Sequence, residues 1–300
     1  MRLLLALVVA TAAAPLPSEV LNLRHWALDL PSRAPNSTEA LRLYSPALAR
    51  YESPSFFVSE ASAVALVVPV DGAHTYGSTF PRVELREVKA TASMPFVHRN
   101  WDPTNGTALH ELSVTMDVAS LPAKRPQTVV AQVKGSKACL MIEVQPSSTS
   151  GFQIVATNHF FPPKQQLLGV LDANYALGTV FSLKLQLHQG LAYVYYKDMA
   201  TPALMTSFKD DVDCDCRNTT SNRPLCYFKT GNYLQTNSTF DAPAATGIVH
   251  LYQINSSHSN ATEPPPQNAS KIIKRDPSKS TGHRALLTCI WAFAVARLCW

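Results

Sequence analysis

Arg82-Val83-Glu84-Leu85-Arg86 places a charge at every second position with an aliphatic residue in each gap. A period of two belongs to a strand, because successive side chains leave the backbone on opposite faces. The three charged groups then project together, about 7 Å apart, while Val83 and Leu85 enter a core. The alternation returns in Gln132-Val133-Lys134 and in Tyr227-Phe228-Lys229-Thr230-Gly231-Asn232-Tyr233-Leu234-Gln235. In the last stretch Tyr227, Lys229, Tyr233 and Gln235 share one face, with Phe228 and Leu234 directed to the core along with Val133. Singly, each pattern also describes a solvated outer strand. Jointly they present long cationic donors and phenols on sheet faces, a set suited to a carboxylated polymer.

Short runs of the same kind extend on both sides. Ala63 to Val70, Glu111 to Val118, Val129 to Val133, Leu140 to Val144, Phe181 to Leu187, Ala192 to Tyr196 and Gly247 to Ile254 are strand-length and bounded by Gly, Pro, Asn or Ser. Glycine is scarce at 11 and proline plentiful at 22, which favours turns between strands over long helices. There are no heptads and no internal repeat. The residues therefore predict an all-β sandwich, and 300 residues allow it to be one large domain.

The ends differ in character. Met1-Arg2 followed by the apolar stretch Leu3 to Ala14 has the form of a secretory signal peptide, assigned to residues 1–16. Seven Asn-x-Ser/Thr sequons, at Asn36, Asn105, Asn218, Asn237, Asn255, Asn260 and Asn268, fit an exported glycoprotein with those asparagines on the surface. The folded domain is placed at 19–256. Residues 257–284 read as a polar linker containing Pro264-Pro265-Pro266, and the apolar tail at 285–300 has the form of a GPI-anchor signal. Localisation is thus secreted, or held at the cell surface by a C-terminal lipid anchor. Cys139, Cys214, Cys216 and Cys226 lie in the body, Cys289 and Cys299 in the tail. In an oxidising compartment the four predict two disulfides with three open connectivities; no histidine pair stands near them to complete a zinc site.

A net charge of +5 suits an acidic ligand, and no basic run interleaved with aromatics argues for nucleic acid. The nine histidines are scattered; His74, His98 and His159 are candidates to line a groove.

At the three alternating stretches the sequence resembles the alginate lyase family, polysaccharide lyase family seven. Its motifs have the form R-x-E-L-R, Q-[IV]-H and Y-F-K-x-G-x-Y-x-Q, and they stand here in family order. Leu21-Asn22-Leu23-Arg24-His25-Trp26-Ala27-Leu28-Asp29-Leu30-Pro31 is similar to the family's opening strand, and Gly77-Ser78-Thr79-Phe80-Pro81 leads into the arginine motif. The resemblance implies a concanavalin A-like β-jelly roll with a concave sheet holding the substrate. It also implies β-elimination on a uronate polysaccharide, with no metal or cofactor. The chain is expected to act as a monomer.

Carried over residue by residue, Tyr233 stands at the catalytic tyrosine, and Arg82, Gln132 and Lys134 neutralise the C5 carboxylate. Glu84, Arg86, Lys229, Tyr227 and Gln235 support substrate binding, with Glu84 orienting the arginines. Lys134 departs from the family histidine; with a reference pKa near 10.4 it supplies charge and is a poor base at neutral pH. The expectation is that Lys229, Lys134 and the arginines lower the Tyr233 pKa, and that Lys134 favours syn elimination, as on mannuronate. Two alternatives stay open: a glucuronan lyase, separated by product analysis, and a catalytically silent glycan-binding module, separated by assay for elimination.

Overall fold

The computed structural model describes residues 14–89, 99–104, 106–158, 165–207, 216, 223–261 and 272–273. Sixteen strands follow in chain order: β1 (Trp26–Arg33), β2 (Ala40–Leu43), β3 (Phe57–Glu60), β4 (Ala63–Pro69), β5 (Arg82–Glu87), β6 (Ala108–Ser120), β7 (Thr128–Lys134), β8 (Ala138–Pro146), β9 (Phe152–Asn158), β10 (Gln166–Tyr175), β11 (Phe181–His188), β12 (Leu191–Tyr196), β13 (Leu204–Ser207), β14 (Tyr227–Leu234), β15 (Thr246–Asn260) and β16 (Ile272–Ile273). They form two eight-stranded sheets. One has the order β10-β9-β8-β7-β14-β5-β1-β2, the other β16-β13-β12-β11-β6-β15-β4-β3. Every named pairing is antiparallel except β13 with β16, so the predicted jelly-roll sandwich is what the chain forms. All seven runs read as strands are strands. Strand β15 continues to Asn260, past the expected domain end at 256, and β16 falls inside the segment read as linker.

The inner faces meet in one core. Trp26, Leu28, Leu66, Leu85, Phe181 and Phe228 are completely or almost completely buried there, and Val83, Val133 and Leu234 join them as the alternation predicts. The opposite face of the first sheet is also out of solvent at its centre, since Arg82, Glu84 and Arg86 are each under 7% exposed. A solvated outer strand is thereby excluded.

Polar side chains also link the two sheets, and one of them lies on a motif strand. Asn232 on β14 donates from Nδ2 to the carbonyls of Leu66 and Gly247, both at 2.9 Å and both in the facing sheet. Its Oδ1 accepts from Thr128 Oγ1 at 2.9 Å. Buried amides cost free energy unless their hydrogen bonds are made, and here three are made. The strand that carries Tyr233 is thus tied directly to the second sheet.

Cys216 and Cys226 are joined as a disulfide, and Cys139 is also disulfide-bonded; Cys214, Cys289 and Cys299 lie outside the described residues. So do residues 1–13, the apolar tail, and the sequons at Asn105, Asn218 and Asn268. Asn36, Asn255 and Asn260 are exposed, and Asn237 is half-buried. Among the described residues no helix is long and apolar enough to cross a membrane.

Replacing Asn232 by the nearly isosteric Leu should cost about 2–3 kcal/mol, because the carbonyls and hydroxyl it serves are left unpaired. A urea titration reads this as a lower midpoint at unchanged slope. A wild-type midpoint would assign the tie to packing volume alone.

Candidate active site

The three alternating stretches become neighbouring strands. β7, β14 and β5 lie side by side, with Tyr227 opposite Lys134, Lys229 opposite both Gln132 and Arg86, and Tyr233 opposite Arg82. Together with β1 and β2 they floor a groove of about 660 Å³. That volume takes a drug-sized ligand, which for a glycan is about two or three sugar units. Arg82, Gln132, Lys134, Tyr227, Lys229 and Tyr233 all line it.

Glu84 lies beneath them and holds three donors from three strands. Arg82 Nη1 donates to Oε2 at 2.8 Å, Lys229 Nζ pairs with the same oxygen, and Gln132 Nε2 donates to Oε1. Asp29 on β1 adds a second buried carboxylate. It receives Arg42 in bidentate fashion, Nε at 2.5 Å and Nη2 at 3.1 Å, and Lys229 Nζ lies 3.3 Å away. Lys229 is therefore spent on two internal carboxylates, whereas no ion pair among the described residues involves Lys134. Both arginines of the first motif stack on phenols: the Arg82 guanidinium carbon is 3.5 Å from the Tyr233 ring centroid and that of Arg86 is 3.8 Å from Tyr227. Such contacts hold a ring in place and favour a positive charge over its face.

Gly231 makes this packing feasible. It sits between Lys229 and Tyr233, opposite Glu84, with φ +143°, and a Cβ there would approach the Val83 carbonyl to 2.6 Å. The β14–β7 register shifts between Thr230 and Tyr233, so the glycine marks a bulge that re-aims the tyrosine.

Charge states follow from these contacts. Burial opposes the charge on Glu84, but Lys229 and Arg82 outweigh it and hold the carboxyl below the usual range. Burial likewise opposes ionisation of Asp29, yet Lys229 and Arg42 bring it down to about 2. Lys134 is lowered by burial first and by Lys229 and Arg82 second. The two tyrosines diverge. For Tyr227, burial is outweighed by Lys229, Lys134 and Arg86, and the phenol is lowered. For Tyr233, burial prevails over Arg82 and Ser78, with Glu84 adding to it, and the phenol is raised. The expected lowering of Tyr233 is thus corrected: its cationic neighbour Arg82 is already engaged by Glu84.

Gln235 is not brought into the groove. Its Nε2 donates to the carbonyls of Tyr233 and Leu234, turning the side chain back on its own strand. Arg86 and Glu84 lie under the floor. His74 is exposed in a separate shallow depression with Asp71 and Asn237, while His98 and His159 are outside the described residues. The groove also contains residues not singled out in the sequence: Asp29, Arg42, Tyr44, Tyr76 and Ser78. A signal existed for three of them. Asp29 is an acid between leucines, and Arg42 and Tyr44 alternate with Leu41 and Leu43. Ser78 Oγ is 3.0 Å from the Tyr233 hydroxyl and accepts from Arg82 Nη2 at 2.6 Å.

A search of the curated proteins finds no match. Among solved structures, the chain is similar to the family seven alginate lyase AlgAT5, with 27% identity, TM-score 0.66, and 82% of this chain and 100% of that one covered. An alginate lyase from Corynebacterium sp. follows at 24% identity and TM-score 0.66, covering 81% and 98%. A family seven alginate lyase in complex with the substrate GGMG has 22% identity and TM-score 0.62, covering 85% and 100%. The alginate lyase family model matches residues 21–258, all three motif strands included. With the match spanning most of the chain, the protein belongs to the alginate lyase family and is a polysaccharide lyase.

Proposed function

We propose that the chain cleaves alginate by β-elimination, chiefly at mannuronate linkages, with Tyr233 as both base and acid. The observation that carries this reading is the convergence of Arg82, Gln132, Lys134 and Tyr233 in one groove from three strands. Elimination must remove the weakly acidic C5 proton, so the adjoining carboxylate has to be neutralised as charge develops. Lys134 brings an ammonium with no ion-pair partner among the described residues, and Arg82 and Gln132 add donors anchored by Glu84.

The Tyr233 phenolate takes the C5 proton. The C5 electron pair forms the C4–C5 double bond, the C4–O4 bond breaks, and the new tyrosine proton passes to O4. One residue serves both transfers only when proton and leaving group share a face of the sugar. Mannuronate and glucuronate meet that condition and guluronate does not. Because Lys134 retains its proton where a histidine would lose it, the second base needed for the opposite geometry is missing from this position. The form of residues 1–16 and the exposed sequons support export, where such a polymer would be met.

Tyr233→Phe should lower the rate at least about a thousandfold while preserving the unfolding midpoint. Polymannuronate should be cleaved about tenfold faster than polyguluronate or more, with glucuronan as a third substrate in the same ultraviolet assay of the new double bond. Preference for polyguluronate would overturn the syn assignment, and absence of the double bond on all three polymers would favour a binding module.

The pH profile has a definite sign. Tyr233 must be deprotonated and its pKa lies above the ordinary 10.0, so kcat/KM should rise about tenfold per unit through neutrality. Lys134 must be protonated and its pKa lies below the ordinary 10.5, so the descending limb should begin earlier than for a free lysine. The optimum is then alkaline. Lys134→Arg, which keeps its charge, should move the descending limb to higher pH; an unmoved limb would remove Lys134 from carboxylate recognition.

A further inference from the structure

Ser78 stands outside the three motifs, in the loop before β5, yet it touches the oxygen that moves the proton. Its hydroxyl has one hydrogen and two lone pairs. Arg82 Nη2 occupies one lone pair at 2.6 Å. The remaining proton has two acceptors within reach, the Phe80 carbonyl at 3.2 Å and Tyr233 Oη at 3.0 Å. With Tyr233 protonated, the phenol can donate to the free lone pair while Ser78 donates to Phe80. With Tyr233 ionised, the phenolate accepts only, and the Ser78 proton satisfies it by rotating about one bond. The Arg82 contact polarises that hydroxyl and makes it a stronger donor.

We propose that Ser78 is a positioning residue that holds the ionised form of Tyr233, its hydroxyl turning from the Phe80 carbonyl to the phenolate oxygen. This rests on the reading of Tyr233 as the base and adds what maintains it. The groups facing Tyr233 are Arg82 and Glu84 from β5. Lys134 of β7, Lys229 of its own strand and Asp29 of β1 share the groove. The loop Thr75-Tyr76-Gly77-Ser78 contributes no charge. Changing Ser78 therefore adds or removes no charge, and because Arg82, which Ser78 also holds, itself hydrogen-bonds Tyr233, the hydroxyl is read from the comparison of several Ser78 variants.

The test is a pH titration of the full chain labelled with ¹³Cζ-tyrosine, read by NMR, with Tyr233→Phe assigning the resonance. Ser78→Ala should raise the Tyr233 midpoint by about one to two units, the loss of one hydrogen bond to a charged group. Ser78→Thr should restore it, and Ser78→Cys, of similar size but a weak donor, should behave like Ala. In the lyase assay the ascending limb should move by the same amount, with about ten- to a hundredfold loss at pH 7 and recovery at high pH. An unmoved midpoint in both Ala and Cys variants, or a loss equal at every pH, would overturn the proposal. If the wild type cleaves no uronate polymer, the proposed function fails, while the titration still decides the role of Ser78.

Discussion

The groove is organised by the carboxylate of Glu84. A charge at 1% exposure is sustained only when its partners are close and its lone pairs are filled. Glu84 meets that requirement by accepting Arg82 from its own strand, Lys229 from β14 and Gln132 from β7. Three side chains that would otherwise sample many rotamers are fixed in one layer. The same carboxylate binds β14 and β7 to β5 across the concave face, while Asn232 binds β14 to the sheet behind. The residues that line the groove are positioned by hydrogen bonds from both directions.

Placing so many cations together has a cost, and the arrangement shows how it is limited. Arg82, Arg86, Lys229, Lys134 and Arg42 stand in or just beneath the groove, with Asp29 and Glu84 buried among them. The two carboxylates neutralise Lys229 and Arg42 most directly, and the two arginines of β5 rest on phenol faces. Lys134 has no ion-pair partner among the described residues; burial first, and Lys229 and Arg82 second, depress its pKa, and an incoming carboxylate would oppose that shift. Substituting lysine for the family histidine therefore preserves charge complementarity while removing a group that titrates near neutrality.

Much of this was legible in the residues. The period of two placed Val83, Leu85, Val133, Phe228 and Leu234 in the core, and the motif order predicted strands that meet. The misses have physical causes. β10 is an edge strand with three register shifts and half its residues exposed, so its alternation is broken in the sequence too. Gln235 has the parity of Tyr233 but follows the last residue of β14, where the side chain folds back on local carbonyls. Among the described residues, His110 and His258 come together beside Trp101, His110 stacked on its ring and His258 tilted to it and hydrogen-bonded to Glu87. Their 148-residue separation gives no local pattern to read. Burial was the quantity hardest to foresee: cations beside Tyr233 suggested a lowered pKa, and desolvation reversed the sign.

That reversal bears on how a phenol performs the proposed chemistry. Tyr227 and Tyr233 lie on one strand, each beneath an arginine, yet they shift in opposite directions. Tyr227 faces Lys229, Lys134 and Arg86, which outweigh burial, favour its anion and make that anion a weaker base. Tyr233 faces an arginine whose charge is shared with Glu84, in a pocket where Phe80, Val129, Ala138 and Met141 exclude water. Its anion is rarer and more basic. For abstraction of a proton as weakly acidic as that at C5, basicity in the ionised fraction matters as much as the size of that fraction. A site that lowered the Tyr233 pKa far below 10 would gain phenolate and lose driving force in the same step. On the proposed mechanism, apolar burial of Tyr233 beside a half-neutralised arginine retains basicity, and the carboxylate clamp at Lys134 lowers the barrier from the substrate's side.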